Sequence, residues 1–467
     1  MKNSNDFYYV PTHWSNFIYD FPQFVSREKL DLRAIYGNNI SHKVNVIPQQ
    51  PLALIRQSHN TQDAYVPIPE ELLEYYYQYR PTPLKRANGL EAHLKVNARI
   101  YYKFEGANLS GSHKLNTALA QAYYYKKAGI KHLVTGTGAG QWGTAIAYAC
   151  QIMNLECTVF MVGVSLRQKP YRKTMMELFG ATVHESPSEL TKVGRDALKI
   201  DKERIGSLAF ATGEAIEYAQ VNSDCRFAVG SGENCVLLHQ SIIGCEAVAQ
   251  MHTLDDFPTD VVACMGAGSN FGGVGLPFLR FAKELGKSTR LLAVEPSACP
   301  KLTRGVYAYD KNDFSGTTPI SKMYTLGSKY MAPPIYAGGL RYHGTSPFLS
   351  AMYHDDLFDA LAIDQPETLA AGLLLARTEN ILPAPESAHA VAGAIRLAKD
   401  HPHDSEPLVI LINVSGHGMF DVTSYEKFQK GEVESGRPSE NSLKTSLQEV
   451  GKFNELVKVT KAETKIK

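Results

Sequence analysis

Short runs of aliphatic and β-branched residues in this chain repeatedly empty into glycine-rich loops that open helices. ARIYYKFE (98–105) leads into GANLSGSHK, HLVTG (132–136) into TGAGQWG, DVVACMG (260–266) into AGSNFGG, and PLVILINV (407–414) into SGHGMF. Further apolar runs, CTVFMV and RLLAVEP, stand between helical stretches such as NTALAQAYYYKKA, WGTAIAYACQIM and FGGVGLPFLRFAKEL. Strands of this kind alternating with helices make a parallel sheet covered on both faces, so the fold class is α/β. In open parallel sheets ligands collect where the carboxyl ends of the strands meet their loops. One such loop would be an ordinary turn; four predict a ligand site.

Composition narrows the partners. A length of 467 residues is enough for two domains with a sizeable core. A net charge of +1 with 20% charged residues implies neither a nucleic-acid surface nor an acidic partner. Seven dispersed cysteines without a CxxC pair read as reduced thiols, and with no apolar signal core or membrane-length run the expectation is a cytoplasmic protein without a membrane segment. Residues 1–65 are aromatic and Pro-dotted and read as an arm wrapped on the body or on a partner subunit. Pro69 opens a helix, PEELLEYYYQY, that RPTPL stops. Residues 66–255 are expected to form an N-terminal α/β domain, 256–425 a C-terminal one, and 426–467 a charged tail lying as a surface helix or frayed end. The basic stretch LRQKPYRKTMM reads as a solvated face, with Arg167, Lys169 and Arg172 as candidates to close over a substrate.

Lys114, in GSHKLN, stands where the first of these strands hands over to a helix. An ammonium at the positive end of a helix dipole is pushed toward the neutral amine, the form that attacks a carbonyl. MGAGSN (Met265 to Asn270) follows an apolar strand and opens a helix. Its small residues let N–H groups converge as a phosphate cradle, without the Lys-Ser/Thr of a nucleotide-binding P-loop and without GxGxxG. TGAGQWG suits a carboxylate, and Ser415 in VSGHG ends the last strand with a hydroxyl that could meet a ring nitrogen. A Schiff-base lysine, a phosphate cradle, a carboxylate loop and a neutral hydroxyl together describe a pyridoxal-phosphate site tuned to β-elimination and replacement. Other residues carry blander readings: His343 and Arg341 as part of a turn or of an entrance, His389 as a core histidine, Cys264 as core packing.

These stretches are familiar. GSHKLNTALAQAYYYKKAGI, TGAGQWGTAIAYA, RQKPYRKTMMELFGATV, VLLHQSIIG, GAGSNFGG, VEPSACPKLTRGVYAYD, GGLRYHG, ILPAPESAHA and VSGHGMFD resemble the tryptophan synthase β-chain family, specifically its long second subclass. The likeness runs from RPTPLKRA near 80 to about 421. It implies pyridoxal-phosphate fold type II: two parallel or mixed sheet domains with the cofactor between them, and a mobile substrate-covering subdomain at about 135–230. By resemblance Lys114 carries the cofactor covalently, His113 lies near the phosphate, and Asn116 belongs to the same cofactor-binding motif. Gly266, Ala267, Gly268, Ser269 and Asn270 hold the phosphate, Glu386 lies by the ring, and Ser415 faces the pyridine nitrogen. Thr137, Gly138, Ala139, Gly140, Gln141 and Trp142 are the expected substrate loop. The resemblance also brings a homodimer and a monovalent cation site built mostly from backbone carbonyls, and leaves open whether an α-type subunit docks.

Departures from the family pattern bear on function. The family places a catalytic Glu directly before TGAGQ; here that position is Gly136, which supplies no acid or base and is expected to leave room or a water pocket. Ala267 replaces a usual Gly. Lys329 and Tyr336, in GSKYMAPPIYAGGLRYHG, stand at altered positions and are candidate substitutes for the missing Glu. The expectation is β-replacement through an aminoacrylate on serine or an activated serine derivative, with the donor or the nucleophile altered. The alternatives are conventional tryptophan synthesis from indole and serine, and a non-catalytic paralogue that holds the cofactor.

Overall fold

The computed structural model describes residues 9–25 and 50–464, with side chains through Val457. Two parallel sheets organise the chain. The larger has six strands in the order Asp359–Ile363, Arg290–Pro296, Asp260–Cys264, Leu408–Val414, Ala98–Phe104 and Leu84–Arg86, all neighbours parallel except the last pair. The smaller has four parallel strands in the order Thr182–Ser186, Glu156–Val162, His132–Thr137 and Cys225–Phe227. Their central strands are buried on both faces: Val261 to Cys264 and Val409 to Val414 are almost wholly covered. Each such Val, Ile or Leu stabilises the fold by roughly 1.5–3 kcal/mol. The α/β reading is what these residues build.

Chain order and sheet membership differ. Residues 66–255 were expected as one unit, yet Leu84–Arg86 and Ala98–Phe104 are hydrogen-bonded into the larger sheet. After Phe104 the chain crosses along helix Lys114–Lys127, builds the smaller sheet, and returns along helix Asn234–Thr253. The crossing helix carries Ala, Leu, Lys and Gln among its residues, with no Gly or Pro to break it. Leu115 to Ala122 are buried because helices and sheets surround it.

His13–Ser15 of the arm pairs antiparallel with Tyr65–Pro67, and Trp14, Phe17 and Ile18 enter the main core. The arm thus wraps its own body in the described part; residues 1–8 and 26–49 lie outside the described residues. The tail forms helix Glu440–Thr464, whose Leu443, Val450 and Val457 are buried at seven-residue spacing. All seven cysteines are free and buried. Among the described residues no helix is long and apolar enough to cross a membrane.

Candidate active site

The carboxyl ends of both sheets face a cavity of about 270 Å³. Its wall takes Ser112, His113 and Lys114 from the crossing helix and its approach, and Gly136 to Ala139, Gln141 and Trp142 from the smaller sheet. From the larger sheet come Gly266 to Asn270, Glu386 and Ser415. Residues dispersed over 300 positions therefore meet because strand ends do.

Lys114 is the first residue of its helix, and its Nζ donates to the Gly230 carbonyl (2.8 Å) and the Ser269 hydroxyl (3.2 Å). Burial pulls its pKa down to about 8, opposed by the carboxylate of Glu386. Desolvation is the largest cause, and the positive end of helix Lys114–Lys127, which begins at this residue, acts in the same direction. His113 brings Nε2 to 3.2 Å from the same Ser269 hydroxyl, and its backbone N–H donates to the Ser415 carbonyl (2.8 Å). Burial, reinforced by Lys114, holds this imidazole well below its usual range, so it stays neutral.

The cradle is built by conformation. Gly268 sits at φ +119, a left-handed setting that a side chain resists, and helix Ser269–Glu284 starts immediately after it. Asn270 is clamped from both sides, donating to the Cys264 carbonyl (3.0 Å) and accepting from Asn413 (2.6 Å). Ser415 Oγ lies 2.8 Å from Ser387 Oγ and 3.6 Å from Cys264 Sγ. Cys264 is thus part of the wall and not core packing alone; burial pushes its thiol up to about 12. Glu386 accepts from the Gly339 N–H with one oxygen (2.9 Å).

Several expected residues sit elsewhere. Asn116 is off the wall, in a buried polar network with Tyr79, Arg80, Glu105 and Gln240. Gly140 backs onto Arg172 at φ +94 and is not a wall residue. Lys329 is exposed and feels Glu449 of the tail helix, while Tyr336 is half-buried with its N–H on Gln365; neither lines the cavity. The space expected beside Gly136 is filled: a Cβ there would stand 2.6–2.8 Å from the backbone of Ala211 and Thr212 in helix Leu208–Val221. Nor is the basic stretch wholly a solvated face. Arg167 is exposed, but Lys169 and Arg172 are buried against Asp421, at 2.5 and 3.3 Å. Arg341 and His343 are buried in a turn, bonded to the carbonyls of Ala332 and Lys311. His389 is the core histidine expected, with Nδ1 on the Pro385 carbonyl.

Sequence reasoning missed the loop Gly230–Asn234 (GSGEN), which lines the cavity and opens helix Asn234–Thr253. Small residues ahead of a helix were the available signal. Also missed were Thr212 and the hairpin residues Asn312, Thr318, Ser321 and Lys322, which no local pattern marks, and Gly339, which lies within the GGLRYHG stretch.

The wall fits a phosphorylated aldehyde cofactor. Ser112 Oγ, Thr345 Oγ1, Ser346 Oγ and one Glu386 oxygen are buried on it without a partner among the described residues. Buried polar groups need partners, and an acceptor-rich ligand with one donor atom would satisfy these. A partly buried amine whose pKa is pulled down to about 8 completes the set.

Comparison with known proteins agrees. Residues 75–416 match the family model for pyridoxal-phosphate-dependent enzymes. The chain is 46% identical over 425 residues to tryptophan synthase beta chain 2 of Methanosarcina mazei, covering 91% of this chain and 95% of that protein. It is 48% identical over 417 residues to tryptophan synthase beta chain 2 of Thermotoga maritima, covering 89% and 97%. Among solved structures it resembles threonine deaminase isoform 2 of Solanum lycopersicum at 18% identity and TM-score 0.56, covering 78% of this chain and 94% of that one. O-ureido-L-serine synthase, at 18% identity and TM-score 0.56, covers 82% of this chain and 99% of its own. Those two likenesses concern the fold alone. With its lysine, cradle and serine in place on a fold type II scaffold, the chain belongs to the pyridoxal-phosphate-dependent enzymes as a lyase of the tryptophan synthase β-chain family.

Proposed function

We propose that this enzyme performs β-replacement on an activated serine derivative, a donor that brings its own leaving group. The observation that carries this is Gly136, where the family's carboxylate is absent and the backbone of Ala211 and Thr212 occupies the space of a side chain. Among the described residues the carboxylates on the cavity wall are Glu233 and Glu386, neither at the family's position; Glu386 gives one oxygen to the Gly339 N–H and keeps the other without a partner among the described residues. Loss of hydroxide from serine needs a proton at that oxygen; loss of acetate or phosphate does not. The filled space also argues against a bulky nucleophile beside residue 136 as the main change.

Pyridoxal 5′-phosphate, when bound through Lys114, supplies the electron sink that labilises the α-proton and the β-substituent. The chain's own residues do the rest. Lys114, neutral above pH about 8, takes and returns the proton at Cα. Thr137, Gly138, Ala139 and Gln141, at the start of helix Gln141–Ile152, present backbone donors to the substrate carboxylate. Ser415, paired with Ser387, offers a neutral hydroxyl to the ring nitrogen, and Ser269 bridges His113 and Lys114.

The test compares serine, O-acetylserine and O-phosphoserine by the cofactor's absorbance and by product formation. Response to the activated donors and little to serine is expected; turnover of serine at equal efficiency would overturn the reading. A second reading, tryptophan from indole and serine, is favoured by the names of the relatives in Methanosarcina mazei and Thermotoga maritima. Rapid consumption of indole with serine would establish it. No response to any donor, with the cofactor bound, would favour a non-catalytic paralogue.

A further inference from the structure

Among the described residues, Lys301 is one of the fully buried cations that the mechanism leaves unused. Lys301 lies in the turn after strand Arg290–Pro296, is wholly enclosed, and donates from Nζ to the carbonyl of Met265 (3.1 Å). Met265 immediately precedes the phosphate cradle. Its own N–H is held by the Val294 carbonyl (2.8 Å), so both polar groups of that residue are fixed by the neighbouring strand and the turn that follows it. The counter-charge is Glu295, 3.8 Å from Nζ, whose carboxylate accepts from the Leu302 and Thr303 N–H groups (3.0 and 2.9 Å) and the Thr303 hydroxyl (2.8 Å). His343 and His389 are both kept neutral, first by burial and in part by this ammonium.

Burying a lysine against a single carboxylate at 3.8 Å is poor value for stability alone, since desolvation opposes it. Its geometry serves the cradle better. The Met265 carbonyl shares a peptide group with the Gly266 N–H, the first donor of the cradle. An ammonium on the carbonyl draws electron density from that peptide, which makes the N–H at its other end a stronger donor. We propose that Lys301 is a positioning residue for the cofactor phosphate: its Met265 contact fixes and polarises the peptide that opens the cradle. The proposal rests on cofactor binding and is independent of which donor the enzyme uses.

Apo-protein of the full chain, wild type and Lys301→Met, is titrated with pyridoxal 5′-phosphate and with pyridoxal, which lacks the phosphate. The variant should bind pyridoxal phosphate at least about tenfold more weakly and pyridoxal within about twofold of wild type, the size expected when a supporting contact of a bound group is lost. Methylammonium added to Lys301→Ala should recover part of the phosphate preference. Equal weakening for both ligands would mean a merely structural lysine, and unchanged affinity for both would leave it without a role; either overturns the proposal. Should Lys301→Met fail to fold, Lys301→Gln decides, since it keeps a donor but no charge. Loss of phosphate preference supports the proposal and its retention overturns it.

Discussion

At residue scale two positions bear most on the proposed chemistry. Lys114 is marked in the sequence by its place at a strand-to-helix junction, and burial lowers its pKa to about 8. A lysine shifted this way has its charge removed as pH rises through the lower value. Covalent capture of pyridoxal phosphate by apo-protein should therefore speed up toward pH 8 and level off just above it. Stopped-flow absorbance across pH 6–11 checks this; a midpoint near 10.5 would mean the amine is open to water. Gly136 is the second position. Gly136→Ala drives a methyl into the backbone of Ala211 and Thr212, and overpacking of this kind costs about 1–3 kcal/mol. Urea unfolding of the variant measures it, and wild-type stability would show that helix Leu208–Val221 is not seated there. For the same reason Gly136→Glu is not expected to restore serine turnover.

At element scale the tail helix reaches the site indirectly. Its Asn454 side chain accepts from the Tyr309 N–H (2.9 Å) and donates to the Tyr309 carbonyl (2.9 Å), and its Ser446 hydroxyl donates to the Leu326 carbonyl. Tyr309 belongs to hairpin Val306–Asp310/Ser321–Thr325, which puts Ser321 and Lys322 on the cavity wall. Truncation after Ser439 should loosen that wall, raising KM for the donor about 3–10-fold with kcat within about twofold, the pattern of lost ground-state binding. Steady-state kinetics decide, and unchanged KM would confine the helix to covering apolar surface. The sequence marked this segment as a charged tail because its apolar contacts recur only once in seven residues, too sparse a stripe to read without its partner.

At the scale of the whole molecule the two sheets are tied by a buried ionic contact. Lys169 and Arg172 come from the smaller-sheet half, Asp421 from beyond the last strand of the larger sheet, and Lys169 also lies 3.8 Å from Glu386 on the cavity wall. Burial alone would raise the Asp421 pKa; Lys169 and Arg172 outweigh it and hold the carboxyl below its usual range. The linked stability is present above the ordinary carboxylate pKa and fades as pH falls through the lowered one. Asp421→Asn strands two buried cations and should cost about 3–5 kcal/mol at neutral pH, less at pH below about 4. Guanidinium unfolding at pH 7 and pH 3.5 tests the sign, and a loss that grows on acidification would contradict it.

The chain by itself determined the α/β class and marked the lysine, the glycine-rich loop Gly266–Asn270 and the serine as candidates. Each is a local pattern: an apolar run, then small residues, then a helix, and backbone geometry follows from those few residues alone. Tertiary structure decided what local pattern cannot encode. Asn116 points into a polar network because helix Asn234–Thr253 supplies Gln240 as its partner. Lys169 and Arg172 leave solvent because Asp421 waits some 250 residues away. The space beside Gly136 depends on a helix that packs from another part of the chain. A missing side chain tells what chemistry is lost; only packing tells what takes its place, since close-packed interiors fill space from wherever the fold can bring atoms.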